Sequence, residues 1–479
     1  MKKHWLLTFL LLALLADLAF TYAQNMRLTL DGDIAAIVVP RADYAPVLHD
    51  PLGWPVLSTG AWYAAPNRFF SHLLMREYCL SVPLLLQAVV SPITSVYMAQ
   101  SLLNVGVQAL LLYVLAWYAT GTRRLSSLRL WVAMALLAPF FQVTGYNGQM
   151  AILSNAFTYN FFYAIPLLGL LVLLWPLFRA AYYQQPLRLG WFRLTVMLVL
   201  VVVLTLSGSI ISGVSLVLAA GVGLHQVQHY WGRPVAEWRQ GLLGPGLLVW
   251  GWLALWCAYS LYIGRHNTEN LWAILPLAER YRLVPYGIFY ELTSKLGLPL
   301  LVLGCLANAW LVRRWLPATP TTRRMGQLLR WLGWFTLVYV ALLPLGGYRD
   351  YRPLILRHDS ILPITIGLMG FYALSATYLL RELPRQRVRW YQAALVVIAL
   401  VFTYADRRIE HYNDNAGERR MLALLARAGN TPVVRLPEPC SVLSWDPITD
   451  PSQSLTNAEL LQYWHVTKEH KPYYYPGKQ

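Results

Sequence analysis

The chain has 479 residues, of which 57% are hydrophobic and 13% are charged, and its formal net charge is +17. A soluble domain carries about 25% charged residues, so this composition excludes an ordinary soluble protein. Apolar runs of roughly 20 residues suit membrane-crossing helices, whereas a β-barrel would need short alternating segments. Much of the basic excess lies in short loops between these runs, which indicates membrane topology and argues against nucleic-acid binding.

The apolar runs predict an all-α polytopic membrane helical bundle with about 11 transmembrane helices. The predicted crossings are 4–22, 93–119, 129–145, 160–178, 192–207, 209–229, 242–262, 296–312, 331–346, 360–380 and 391–404. Basic residues favour alternate loops, which places the N-terminus in the cytoplasm and the C-terminus outside a bacterial-type inner membrane. We expect the first helix to be retained, although Lys2-Lys3 and the following apolar run also fit a cleaved signal peptide.

Two regions follow from this topology. Residues 1–405 form the transmembrane domain, with a first outer segment at 26–92 that contains interfacial helices. Residues 406–479 form a small extracytoplasmic tail, loop-rich except for an amphipathic helix at 418–427. Within the first outer segment, the run 80–90 is too short to span and is predicted to be half-inserted. A disulfide between Cys79 and Cys440, both on the outer side, is left open.

Asp31-Gly32-Asp33 follows the first apolar run directly. At the outer water interface, such paired carboxylates can act as a general base or hold a divalent cation such as Mg²⁺ or Mn²⁺. An Asp-Gly turn at a helix end is the simpler alternative. Asp31 is the first candidate for the catalytic acid/base, and Asp33 is its partner or a second metal ligand.

Basic residues normally favour the cytoplasmic loops of a membrane protein. Those on the outer side are therefore unexpected, and an anionic ligand would explain them. Arg349, Arg352 and Arg357, followed by His358, lie in the outer loop 346–360, and a planar guanidinium matches phosphate oxygens. Asp350 and Asp359 could instead neutralise them. Candidates for binding an acceptor or headgroup are Arg68, His72 and Arg76, which share one helical face predicted to point toward water, together with Glu279 and Arg280.

In layout the chain resembles the GT-C class of integral-membrane glycosyltransferases, which includes protein mannosyltransferases and aminoarabinose transferases of lipid A. Asp31-Gly32-Asp33 corresponds to the early acidic position of that class, and 43–90 to the place of its interfacial helices. The runs 351–353 and 357–363 are similar to its late Arg-Tyr-and-Pro element. The resemblance implies an inverting transfer of a sugar from a polyprenyl-phosphate donor, with the lipid bilayer and that lipid-linked sugar as partners.

Two other classes of function remain open. A lipid or solute transporter, or a flippase, would carry polar groups in mid-membrane and broken helices. A non-catalytic membrane scaffold of an envelope assembly would tolerate loss of Asp31 or Arg357. Contact between the Asp31 segment and the Arg349–Asp359 loop would favour the enzyme over both.

Overall fold

The computed structural model describes residues 2–232, 245–271, 273–407, 414–429 and 431–477, and they are predominantly helical. Helix is the expected outcome, because every backbone N–H and C=O in hydrocarbon must find its partner inside the segment. The helices are α1 (Lys2–Asn25), α2 (Ile34–Val38), α3 (Ala45–His49), α4 (Trp54–Thr59), α5 (Phe69–Leu86), α6 (Pro92–Thr120), α7 (Leu128–Leu137), α8 (Asn147–Met150), α9 (Phe157–Tyr159), α10 (Ile165–Tyr183), α11 (Trp191–Thr205), α12 (Ser209–Tyr230), α13 (Pro245–Gly264), α14 (Leu277–Thr293), α15 (Gly297–Trp315), α16 (Pro320–Leu342), α17 (His358–Glu382), α18 (Arg385–Asp406), α19 (Ala416–Arg427) and α20 (Leu455–Tyr463).

Within these ranges, eight helices are long and apolar enough to cross a membrane, and a ninth span results if α14 and α15, bent by 82°, count together. Membrane character is therefore confirmed. Each of the eleven predicted crossings falls on a helix, but α7 has 10 residues and α11 has 15. The number eleven thus stays a prediction. Residues 242–244 of the seventh predicted crossing lie outside the described residues.

Helix α17 lies at the centre of the bundle. Of its membrane-length window 78% is buried, more than for any other candidate span among the described residues. It packs against α6, α7, α15 and α16. Because α17 begins at His358, the loop before it, with its three arginines, is brought to the middle of one end of the bundle.

The C-terminal tail packs on the first outer segment and shares a hydrophobic core with it, to which α2, α5, α19 and α20 contribute. Buried Glu418 in α19 accepts hydrogen bonds from the Leu30 backbone N–H at 3.0 Å and the Tyr97 hydroxyl at 2.8 Å. The predicted amphipathic helix at 418–427 is confirmed as α19. The rest of the tail adds α20 and a two-stranded parallel sheet, β1 (Val434–Arg435) and β2 (Tyr473–Tyr474), with Val434 paired to Tyr473.

The structure answers two questions about the first outer segment. The run 80–90 is not a separate half-inserted piece, because α5 continues through it to Leu86 with Pro83 buried inside the helix. Cys79 and Cys440 are both free thiols in this structure. Cys79 is buried beneath the tail, and its carbonyl accepts a hydrogen bond from the Trp464 indole at 2.8 Å.

Candidate active site and cavity

Asp31 is buried, with 5% of its surface exposed. One carboxylate oxygen accepts from the Thr158 backbone N–H at 2.8 Å. The other accepts from the Thr158 hydroxyl at 2.6 Å and the Asp33 N–H at 3.1 Å. Burial, helped by the charge of Asp33, raises the pKa of Asp31 to about 6, against these hydrogen bonds. Both oxygens are engaged, so this side chain ties the segment after α1 to α9.

Asp33 is half-buried, and its Oδ1 accepts a hydrogen bond from the Trp445 indole at 3.1 Å. Its Oδ2 accepts none within the described ranges. Burial raises the pKa of Asp33 and the Trp445 hydrogen bond opposes this, while the charges of Glu269, Arg41 and Arg68 also act on the carboxylate. Gly32 allows the arrangement, because a Cβ there would lie 2.6 Å from the Trp445 backbone nitrogen.

An ion pair between Arg68 and Glu269 joins the first outer segment to the second outer segment, residues 264–298. Arg68, directly before α5, pairs with Glu269 at 3.4 Å, and Glu269 also accepts from the Tyr44 hydroxyl at 2.8 Å and the Asn267 amide at 3.1 Å. Burial alone would raise the pKa of Glu269, but the Arg68 charge and these hydrogen bonds outweigh it, so the pKa lies below its ordinary value. Glu269 is therefore an ionised partner of Arg68.

Arg352 and Arg357 share one carboxylate, that of Asp359, whose side chain is 3% exposed. Arg352 donates to it at 2.8 Å and also to the Tyr163 hydroxyl at 2.6 Å. Arg357 donates through Nε at 3.1 Å and through Nη2. The predicted neutralisation by Asp359 is thus present, but two guanidinium groups on one carboxylate leave surplus positive charge.

Arg349 lacks an acidic partner in the described part of the chain. Its guanidinium donates to the Asn270 side-chain oxygen at 2.7 Å and to the Tyr348 carbonyl at 2.9 Å. Burial and the nearby charge of Arg68 lower the pKa of Arg349. A cation next to other cations in a partly buried place favours a bound anion. We call Arg68, Arg349, Arg352 and Arg357 the arginine cluster.

Aromatic rings connect Asp33 to the arginine cluster. Tyr159 lies 6.2 Å from the Trp445 ring, and Arg357 lies 5.2 Å from the Tyr159 ring centroid. The short helical stretch 157–163, which contains Tyr159, also carries Thr158, bonded to Asp31, and Tyr163, bonded to Arg352. Five residues of helix rise only about 7.5 Å. The Asp31 segment and the arginine loop therefore both contact one segment, 157–163, which lies between them.

A cavity of about 2550 Å³ begins at the arginine cluster and is walled by α10, α12, α13, α16 and α17. Arg68, Arg349, Arg352 and Tyr351 line one end, and Tyr182 and Arg324 line the other. Its middle is lined largely by leucine and other apolar side chains. Arg324 and Leu342 both line it from α16, and the helix between them rises roughly 27 Å. The cavity thus extends over nearly the ~30 Å hydrocarbon thickness of a bilayer. Asp33 does not line it.

The predicted basic face at Arg68, His72 and Arg76 does not form. His72 is 1% exposed, packed 4.9 Å from the Phe162 ring, with Nδ1 2.9 Å from the Arg68 carbonyl oxygen. Burial lowers the pKa of His72 to about 4. Arg76 pairs with neighbouring Glu77 at 2.9 Å and takes no part in the cluster. The rings of Phe162 and Tyr44 pack on His72, at 4.9 and 5.8 Å between centroids, and cover the part of the face that was expected to meet water.

The remaining predicted residues divide between cavity and surface. Arg280 lines the cavity and donates to the Leu275 and Pro344 carbonyls at 2.7 and 3.1 Å. Glu279 instead pairs with exposed Arg282 at 2.9 Å. His358 stands at the start of α17 beside the cluster, and both of its ring nitrogens are shielded without a hydrogen-bond partner among the described residues.

Four site residues were missed by sequence reasoning: Tyr159, Tyr163, Glu269 and Trp445. No local pattern distinguishes them. The tyrosines lie where a predicted membrane span begins, and Glu269 is one of several ionisable residues in a loop. Trp445 lies 39 residues after the end of α18, the last helix of the bundle. Only tertiary packing brings them to Asp33 and the arginines.

A cation at Asp31 and Asp33 would need further ligands. Within the described ranges no group of three or more His, Cys, Asp or Glu side chains is placed to hold a metal ion. The two carboxylates are also engaged differently, Asp31 with Thr158 and Asp33 with Trp445. These contacts fit a structural aspartate beside a freer one better than a chelating pair.

The fold and site define an integral-membrane helical protein with a deep apolar cavity that ends at a cationic, partly buried cluster. Comparison with protein-family models, curated proteins and solved structures gives no match for this chain. What the protein does must therefore be argued from the site.

Proposed function

We propose that this protein is a membrane glycosyltransferase that moves a sugar from a polyprenyl-phosphate donor to an envelope glycan, lipid or protein acceptor on the extracytoplasmic face. One observation carries the proposal: an apolar cavity of nearly bilayer length ends at three guanidinium groups of the arginine cluster, those of Arg68, Arg349 and Arg352, with the Asp33 carboxylate nearby. An isoprenoid chain fits the apolar part, and a phosphate fits the cationic end.

The arginine cluster supplies donor recognition. Among the described residues Arg349 has no acidic partner, and Arg352 and Arg357 share one, so a phosphate or pyrophosphate group would complete their charge balance. As the bond to the sugar breaks, negative charge grows on that phosphate, and fixed guanidinium donors stabilise it without reorganisation. Tyr163 and Tyr351 hold Arg352 in place by a hydrogen bond and a ring contact.

Asp33 acts as the general base in this scheme. The acceptor hydroxyl oxygen attacks the anomeric carbon of the donor, its proton passes to the free Asp33 Oδ2, and the bond from that carbon to the phosphate oxygen breaks. Products are the glycosylated acceptor, with inverted configuration, and the polyprenyl phosphate or pyrophosphate. Asp31, the first candidate from sequence, is assigned to positioning, because Thr158 engages both of its oxygens.

The test compares three asparagine variants, Asp33→Asn, Asp31→Asn and Asp350→Asn, in a strain that lacks the native gene. Extracted polyprenyl-phosphate lipids and envelope glycans are analysed by mass spectrometry, at equal levels of membrane-inserted protein. Asp33→Asn should lower the transfer rate by about 10²–10⁴, accumulate a sugar-loaded lipid and remove one glycan residue. Exposed Asp350 is the matched control and should leave the profile unchanged.

The outcomes separate the hypotheses. A defect in Asp31→Asn alone would return the catalytic role to Asp31. Unchanged lipid and glycan profiles in both variants would contradict glycosyl transfer, and would leave the transporter and the non-catalytic scaffold.

A second candidate function, lipid transport, draws on the length of the cavity. Polar groups line both of its ends, and a lipid phosphate moving between leaflets would need both. A transporter would move labelled lipid between leaflets of vesicles without changing its chemical composition, which distinguishes it from the transferase.

A further inference from the structure

The end of the cavity opposite the arginine cluster carries an unpartnered buried hydroxyl. Tyr182, near the end of α10, is 8% exposed and lines the cavity. Its ring stacks on Phe178 with the centroids 5.3 Å apart and the planes 9° apart, which fixes its direction. Within the described residues its hydroxyl has no hydrogen-bond partner. Native structures rarely leave such a group unsatisfied, so its partner is expected to be a ligand.

Arg324 stands beside Tyr182 in the first turns of α16, close enough for its charge to act on the tyrosine. Its Nε is shielded from water without a hydrogen-bond partner, and no ion pair of Arg324 occurs in the described part of the chain. The cavity wall here also includes His225 and Gln228 from α12. Four polar side chains from three helices therefore line the cavity near this end, and none of them is an acid.

We propose that Tyr182 and Arg324 form a second anion site, which binds the phosphate group of an anionic lipid whose acyl chains lie in the apolar part of the cavity. A guanidinium and a phenolic hydroxyl both donate hydrogen bonds to phosphate oxygens, and shielding from water strengthens these hydrogen bonds. The leucine-lined wall begins directly beside them, so the same molecule satisfies polar and apolar surfaces. This site lies at the opposite end of the bundle from Asp33 and does not depend on the proposed glycosyl transfer.

Lipid binding to the purified full chain tests the proposal. The protein in neutral detergent is titrated with dioleoylphosphatidylglycerol, and native mass spectrometry measures the number of bound lipids and the Kd of each. Arg324→Gln removes the charge, Tyr182→Phe removes only the hydroxyl, and Arg323→Gln is the matched control. Arg323 is the exposed neighbour on the same helix and does not line the cavity.

We expect Arg324→Gln to weaken one bound lipid by about tenfold or more and Tyr182→Phe by about threefold, with the control within about twofold of wild type. A monodisperse Tyr182→Phe protein keeps the test valid if Arg324→Gln fails to fold.

Two results would overturn the proposal. Equal weakening in Arg323→Gln, or none in Arg324→Gln and Tyr182→Phe, would show that lipid binding does not use this site. A separate titration with inorganic phosphate distinguishes the ligand's source. If free phosphate in millimolar excess displaces the lipid from wild type, the lipid assignment is wrong and a soluble phosphate is the ligand.

Discussion

Asp31 and Asp33 are one residue apart and have different environments. Asp31 is buried and bonded to Thr158, whereas Asp33 accepts from Trp445 at one oxygen and has no donor at the other in the described part of the chain. Two donors from Thr158 occupy both oxygens of Asp31, so an acceptor hydroxyl would have to displace one of them to reach the carboxylate. The turn at Gly32 leaves Asp31 against Thr158 and Asp33 beside Trp445, and for this reason we propose Asp33 as the general base.

The pH dependence of transfer should report the environment of Asp33. The base must be ionised, and burial raises its pKa above the ordinary value of about 3.9, so kcat/KM should fall as the pH drops through this raised pKa. Trp445→Phe removes the N–H that stabilises the carboxylate. The pKa then rises further, and the acid limb moves to higher pH.

The matched control for that profile is Trp54→Phe, since Trp54 is 65% exposed and lies in the same outer segment. The pH profiles of kcat/KM for wild type and both variants are compared. An acid limb that stays in place in Trp445→Phe would show that the titrating group is not Asp33.

At the scale of elements, helix α17 and the loop before it organise the donor end. Asp359, in the first turn of α17, binds Arg352 and Arg357 and so fixes two cations at the head of the most buried span. From the sequence, these arginines are predicted to bind phosphate, because they lie in an outer loop, where basic residues are disfavoured. It left open whether Asp359 neutralises them, because the ratio of cations to carboxylates depends on which residues meet in space.

Arg352→Gln should raise the KM for the lipid-phosphate donor by about tenfold or more, because a hydrogen bond to a charged group contributes roughly 1.5–3 kcal/mol. Asp359 keeps Arg357 as a partner, so the fold should persist. Initial rates against donor concentration measure the change. Arg282→Gln, at a guanidinium that is 74% exposed, should leave KM unchanged. A similar KM in Arg352→Gln would exclude Arg352 from donor binding.

The contact between the Asp31 segment and the tail depends on a glycine. Gly32→Ala would place a Cβ 2.6 Å from the backbone of Trp445, which cannot move as a flexible side chain could. We expect a loss of about 1–3 kcal/mol in the free energy of unfolding, as for other overpacked sites, and weaker transfer. Thermal unfolding in detergent measures it. Gly106→Ala, in α6 with open space around it, should be neutral or stabilising, and an equal loss there would contradict this account.

At the scale of the whole molecule, the outer segments and the tail assemble at one end of the bundle. Asp33, the arginine cluster and Trp445 come from residues more than 400 positions apart. The charge bias of the loops predicts that this end is extracytoplasmic.

Cys440 provides a native probe of that orientation. It is half-exposed in the tail, whereas Cys79, Cys257 and Cys305 are buried. A membrane-impermeant maleimide added to intact spheroplasts should therefore label the protein at one site, and Cys440→Ser should abolish the labelling. Burial raises the pKa of the Cys440 thiol to about 11, so the reaction is expected to be faster at alkaline pH.

A second variant provides the opposite control. Arg314→Cys, in a predicted inner loop and built on the Cys440→Ser background, should react only after the membrane is permeabilised. Labelling of Cys440 only after permeabilisation would place the tail in the cytoplasm and invert the predicted topology.

The sequence by itself determined that this is a predominantly helical protein with apolar helices long enough to cross a membrane. Hydrocarbon solvent permits few solutions, and an apolar run of about 20 residues must be a helix. It also determined that Asp31-Gly32-Asp33 and the arginines before α17 are unusual, because charge near a membrane is costly without a partner. The tertiary structure alone decided which aspartate is free, that His72 faces inward, and that Glu269, Tyr163 and Trp445 complete the site. These outcomes depend on packing between segments far apart in the chain, for which local spacing and composition carry no signal.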